Sequence, residues 1–292
     1  MKTSALLPLV PVCAALALVV SPARAEIASG SEYVALGSSY AAGPGLLPMV
    51  DTGCARSSIN YPSLVARRLG LSLRDVTCSS ATTADILSRS QRTPVGSVPP
   101  QIDAVGADAR LVTVTIGGND LGYVGSLTGE SCANALTSAA ALAARLCGQS
   151  PGAITPTTVT DLDAVRQSLT DLVTTIRQRA PQATVVLVEY LPVFDQDASG
   201  CAVVPVTPEQ AAALHQTYSG LRDATAAAGA ATGALVAHPS EDPAHTPCGP
   251  VPWTAGFELP DPAAGKGLAY HPTAAGMAAL AESVSAAIGS AQ

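Results

Sequence analysis

The stretch EYVALGSSYAAGPG, Glu32 to Gly45, joins a short apolar run to two serines and then to a loop of small residues and glycines. Tyr33 to Leu36 is too short for a helix and apolar throughout, which is the pattern of a strand covered on both faces. Three more such runs follow at Leu111 to Ile116, Ala183 to Val188 and Ala234 to Ala237. Helical patterns lie between them. The clearest is Thr160 to Arg179, with Leu162, Val165, Leu169, Leu172, Val173 and Ile176 on one face and Pro181 beyond its end. A second begins at TPEQ, where Thr207 can cap, Pro208 suits the first turn and Gln210 can complete a capping box, and it runs to about Ala228. A third follows Pro272 and Thr273 and carries Met277, Leu280, Val284 and Ile288 at helical spacing, a stripe read as core. Strands alternating with helices predict an α/β fold, a three-layer α/β/α sandwich around a mostly parallel central sheet. Gly122 to Thr158 and Pro239 to Gly267 read as irregular, and insertions of that kind often surround the ligand site of an open α/β sheet.

The first 25 residues stand apart. Lys2 supplies a charged start, Ala5 to Val20 an apolar stretch short for a bilayer, and Ala23-Arg24-Ala25 small residues for cleavage before Glu26. Residues 1–25 are therefore expected to be a signal peptide, and 26–292 a single exported domain that carries no later membrane-spanning run. Losing Lys2 and Arg24 would take the formal charge from −7 to −9, which disfavours nucleic acid and anionic membranes as partners. Cys13 leaves with the signal. Cys54, Cys78, Cys132, Cys147, Cys201 and Cys248 remain, an even set that predicts three disulfides in an oxidising compartment. Six cysteines allow 15 pairings, of which neighbours in order is the simplest. No Cys-x-x-Cys or close histidine pair suggests a metal.

The carboxyl end of a strand in such a sheet is where ligands bind, so Ser38 and Ser39 are placed to present a hydroxyl. Alone they read equally well as a turn or a helix cap. VTIGGND, Val114 to Asp120, ends another strand in two glycines and Asn119, whose amide can donate to an oxyanion or merely form a turn. AYHPTAAG, Ala269 to Gly276, sets His271 before a proline and a helix, where it can serve as a general base if the fold brings it to Ser39. His215, His238 and His245 lack a comparable setting.

Taken in order, ALGSSYAAG, CSSATTADIL, IGGND and HPTAAG resemble the four sequence blocks of the SGNH or GDSL hydrolases, and most of all those of secreted actinobacterial esterases and lipases. The blocks span Leu36 to Gly276, nearly all of the expected mature chain. The resemblance implies a flavodoxin-like fold, Ser39 as nucleophile, His271 as base, and an oxyanion hole formed by the N–H groups of Ser39 and Ser80 and the side chain of Asn119. It also implies the disulfides Cys54–Cys78, Cys132–Cys147 and Cys201–Cys248. Three positions depart from the family pattern: Ser38 replaces an aspartate, Ser80 a glycine, and Leu268 the aspartate that in many members precedes the histidine by three residues. Ser80 can still donate through its backbone, provided that it tolerates a glycine-like angle. Some relatives orient the histidine with a main-chain carbonyl, here expected from Leu268, with Asp242, Glu258 or Asp261 as alternative acids.

The expected activity is hydrolysis of carboxylic or acyl-lipid esters by a secreted monomer, with no cofactor. The alternatives are a carbohydrate O-acetyl esterase and a non-catalytic protein retaining the fold. An aromatic content of 3% weighs against a sugar-stacking platform.

Overall fold

A computed structural model describes residues 27–135, 147 and 157–291, so the expected signal peptide lies outside the described residues. Five strands form the central sheet, all parallel: β1 (Glu32–Gly37), β4 (Ser72–Asp75), β7 (Ala109–Thr115), β8 (Thr184–Val188) and β9 (Leu235–Ala237). Two small hairpins, β2 (Met49–Asp51) with β3 (Arg56–Ser57) and β5 (Gln91–Thr93) with β6 (Gly96–Val98), lie outside it. The order β4-β1-β7-β8-β9 places the second strand at one edge and the first beside the third, the flavodoxin-like arrangement. The chain leaves β1 for one edge and β7 for the other, which opens a crevice at the carboxyl ends of these two strands.

The central strands are apolar because both faces are covered. Tyr33 to Leu36, Val112 and Val185 to Leu187 are fully buried. The helices are α1 (Ser39–Ala42), α2 (Tyr61–Leu69), α3 (Thr83–Leu87), α4 (Tyr123–Ala135), α5 (Val159–Arg179), α6 (Pro208–Thr232) and α7 (Ala274–Gly289). α2 packs on α7, and α5 on α6, giving the outer layers. The buried threonines of β7 are satisfied by tyrosines, Thr113 by Tyr33 at 2.7 Å and Thr115 by Tyr61 at 2.8 Å.

The box expected of Thr207 and Gln210 caps α6, and Thr273 caps α7; α5 begins at Val159 with a capping box of Thr158 and Asp161 that the sequence reading did not single out. Two expectations change. Gly122 to Thr158 does not begin as an irregular stretch, since Tyr123–Ala135 is α4. Its glycines and polar residues hide the pattern, but Tyr123, Leu127 and Cys132 bury one side of it. β4 also went unrecognised, because an edge strand reading Ser-Leu-Arg-Asp is half exposed and lacks an apolar run. The disulfides are Cys54–Cys78, Cys132–Cys147 and Cys201–Cys248, the pairs implied by the resemblance.

Candidate active site

Ser39 owes its place to the way β1 ends. Gly37 has φ +149°, and a Cβ there would lie 2.7 Å from the Thr115 carbonyl, so only glycine lets the chain draw this close to β7. The buried amide of Gln101 holds the Gly37 backbone from the other side, accepting its N–H at 2.8 Å and donating to its carbonyl at 3.0 Å. The Ser38 N–H then donates to Thr115 O at 3.0 Å, and the chain turns into α1, with Ser39 as the first helical residue. Among the described residues the Ser39 N–H has no hydrogen-bond partner.

The histidine arrives from the other end of the chain. Tyr270 takes the left-handed conformation, φ +60°, and the Tyr40 hydroxyl donates to its carbonyl at 2.8 Å. This bond ties the residue after Ser39 to the residue before His271. The imidazole Nε2 lies 2.9 Å from Ser39 Oγ, and Nδ1 lies 2.8 Å from the Ala269 carbonyl. A carbonyl can only accept, so Nδ1 carries the proton and Nε2 is left to accept from the serine. Burial holds the His271 pKa down at about 4, against the opposing bond to Ala269, so the ring is a neutral base near pH 7.

Leu268 is therefore not the orienting residue. Its carbonyl accepts the backbone N–H of His271 at 3.1 Å, closing the turn, and this directs the next carbonyl, that of Ala269, to the ring. The alternative acids are engaged elsewhere. Asp242 and Asp261 cap short turns through Ala244 and Ala264, and Glu258 pairs with Lys266 at 2.7 Å.

The other two expected oxyanion donors come from the loops after β4 and β7. Ser80 has φ +69°, so a serine has taken the left-handed backbone of a glycine position and leaves its N–H without a partner among the described residues. The disulfide Cys54–Cys78 and the Ser79 N–H to Cys54 O bond at 3.0 Å brace this loop. Asn119 donates one amide proton to Ala81 O at 2.8 Å and keeps the second. The next residue, Asp120, accepts from the Thr83 N–H and hydroxyl, locking the two loops together. Ser39, Ser80, Asn119 and His271 line one cavity of about 310 Å³, with Pro44, Val124 and Leu268 as its apolar part.

Gln101, Ala269, Asp120 and Tyr190, described below, were not foreseen. None carries a sequence signal of its own: they act through contacts between residues far apart in the chain. The remaining histidines do not join the site. His215 lies tilted beside Tyr218, His238 pairs with Glu189, and His245 lies flat on Trp253.

A serine hydroxyl facing an imidazole in the crevice of a 2-1-3-4-5 parallel sheet places the chain among the α/β/α hydrolases. Residues 35–279 match the model of the GDSL-like lipase/acylhydrolase family, and the chain belongs to that family. It is an ester hydrolase of the GDSL type. It is 33% identical over 250 residues to a lipase of Streptomyces rimosus, covering 84% of this chain and 82% of that protein. A local match to Lipase 2 of Streptomyces coelicolor is 47% identical over 100 residues, 34% of this chain and only 32% of that protein. The crystal structure of the extracellular lipase of Streptomyces rimosus superposes with a TM-score of 0.64 at 28% identity, covering 88% of this chain and 100% of that one.

Proposed function

We propose that the protein is an exported serine esterase of acyl-lipid or simple carboxylic esters, working through Ser39 and His271. The observation that carries the reading is the 2.9 Å separation of Ser39 Oγ and the neutral His271 Nε2. Nε2 takes the serine proton as Oγ attacks the ester carbonyl. The N–H groups of Ser39 and Ser80 and the free amide proton of Asn119 receive the tetrahedral oxyanion. His271, now charged and held by the Ala269 carbonyl, gives its proton to the departing alkoxide, which leaves as the alcohol. Water repeats the sequence on the acyl-enzyme and frees the acid.

The surroundings favour an apolar acyl group. The cavity is apolar along Pro44, Val124 and Leu268, and no Phe, Tyr or Trp lines it among the described residues, which argues against an acetylated glycan. The Pro44 carbonyl accepts the Leu268 N–H at 3.2 Å, joining two loops that line it, and beyond Pro44 the chain exposes Leu47 and, on β2, Met49 and Val50. Export of residues 26–292 as one domain, after removal of 1–25, agrees with the three disulfides. No helix among the described residues is long and apolar enough to cross a membrane.

Hydrolysis of a series of p-nitrophenyl esters tests the substrate reading. kcat/KM is expected to rise from acetyl to longer acyl chains. A preference for acetyl together with release of acetate from acetylated glycan would overturn it in favour of a carbohydrate esterase.

A further inference from the structure

Ser38 stands where the GDSL pattern carries an aspartate, and it is buried. It immediately precedes α1, where a serine ordinarily caps the helix by accepting an N–H of the first turn. Its side chain makes no such bond. Its Oγ lies instead 3.1 Å from the hydroxyl of Tyr190, just past the end of β8, and the same hydroxyl accepts the Gly118 N–H at 3.2 Å. One tyrosine oxygen thus joins the turn that carries Ser39 to the turn that carries Asn119. Gly118 is fitted to the ring, since a Cβ there would lie 2.7–2.8 Å from three Tyr190 atoms. The ring also packs against Tyr40, tilted by 32° with centroids 4.1 Å apart, and Tyr40 is the residue whose hydroxyl reaches the histidine loop.

We propose that Tyr190 is a positioning residue that replaces the absent carboxylate of the nucleophile turn, fixing Ser39 against Asn119 through Ser38 and Gly118. The inference rests on Ser39 being the nucleophile. Since the tyrosine oxygen accepts from Gly118, its own proton is free for Ser38 Oγ, and in a buried site that proton needs an acceptor. Burial raises the phenol to about 12, so it remains a donor throughout the range in which the enzyme would work. Tyr190 does not line the cavity, so it acts on the reaction only through the groups it holds.

The test uses the mature protein with Tyr190→Phe, Ser38→Ala, the double variant, and Tyr190→Phe combined with Ser38→Asp, measuring kcat and KM on a soluble ester. Tyr190→Phe and Ser38→Ala are each expected to lower kcat by about tenfold or more with KM within about threefold, the mark of lost transition-state geometry. The double variant should be no worse than the poorer single variant within about threefold, because both break one link. Ser38→Asp should restore at least about half of the logarithmic loss in Tyr190→Phe, since a carboxylate can fill the hydroxyl's place and accept from Gly118. An unchanged kcat in folded Tyr190→Phe, a double variant whose losses multiply, or no rescue by aspartate would overturn the proposal. Should Tyr190→Phe fail to fold, Ser38→Ala decides alone by the same kcat and KM criterion. Ser39→Ala run beside them separates the two readings: turnover that survives it refutes Ser39 as nucleophile, whatever Tyr190 does.

Discussion

Two histidines, one just past the last sheet strand and one just before α7, are held in opposite ways. His238, after β9, has its Nδ1 2.9 Å from the carboxylate of Glu189, after β8. Glu189 is 2% exposed and also accepts Arg222 Nε at 2.7 Å, and Arg222 in turn pairs with Glu241. His271 has no carboxylate, only the Ala269 carbonyl at 2.8 Å. Judged by the usual triad, His238 with Glu189 is the better-looking pair. Among the described residues no serine hydroxyl is hydrogen-bonded to its ring, and the carboxylate is taken up by the ring and by Arg222. The other pocket keeps a neutral ring, a hydroxyl on its Nε2, and N–H groups with no partner. Reactivity here follows the unspent donors rather than the charges, since a saturated ion-pair cluster has nothing left to offer a substrate.

That contrast can be broken at either end. The largest expected effect is that of Ser39→Ala, which should lower kcat by roughly 10⁴–10⁶ with the fold intact, as removal of a nucleophile does elsewhere. Asn119→Ala should cost about 10²–10³ in kcat, or ~2.7–4 kcal/mol, the usual loss for one oxyanion donor. An unchanged kcat would return Asn119 to a turn-forming role. At the other end, Glu189→Gln should leave kcat within about tenfold, a barrier change of ~1.4 kcal/mol. It should still lower stability by about 1–3 kcal/mol, because the buried acceptor of the Arg222 guanidinium and of the His238 ring is weakened. A thermal melt beside the rate assay separates the two effects.

The pH dependence sharpens the same comparison. The base must be neutral to accept the serine proton, and His271 is held at about 4, so kcat/KM should rise through about pH 4 and run flat above it. An inflection near 6.5 would mean a solvated imidazole. Stability should move the same way: below about pH 6.5 the unfolded chain binds a proton that folded His271 refuses, so its share of stability is lost as pH falls toward 4. The smallest effects are expected from Asp242→Asn, Glu258→Gln and Asp261→Asn, each within about tenfold of the parent kcat. A loss of several hundredfold in any one would make it the missing triad acid.

The legible parts of the molecule were those written locally. Four apolar runs gave four of the five sheet strands, and the box at Thr207 marks a helix start that the structure contains. Ser39, Asn119 and His271 lie in blocks at strand or helix ends, where a sequence pattern survives. β4 was lost because an edge strand needs no apolar run, and α4 because its buried side is interrupted by glycines. The second tier of the site was invisible for another reason. Gln101 meets Gly37 across 64 residues and Tyr190 meets Ser38 across 152, contacts that no local pattern encodes. The orienting carbonyl fell one residue from Leu268, because the left-handed Tyr270 turns the Ala269 carbonyl, not that of Leu268, toward the ring.

The central claim is that Ser39 is the reacting hydroxyl and His271 its base. The most direct measurement is covalent labelling of the mature protein with a fluorophosphonate, followed by peptide mapping of the adduct and by the labelling rates of Ser39→Ala and His271→Ala. The expected result is a single adduct on Ser39, absent in Ser39→Ala and formed at least about 10³-fold more slowly in His271→Ala. An adduct on the neighbouring Ser38, or labelling of Ser39 that does not depend on His271, would contradict the account.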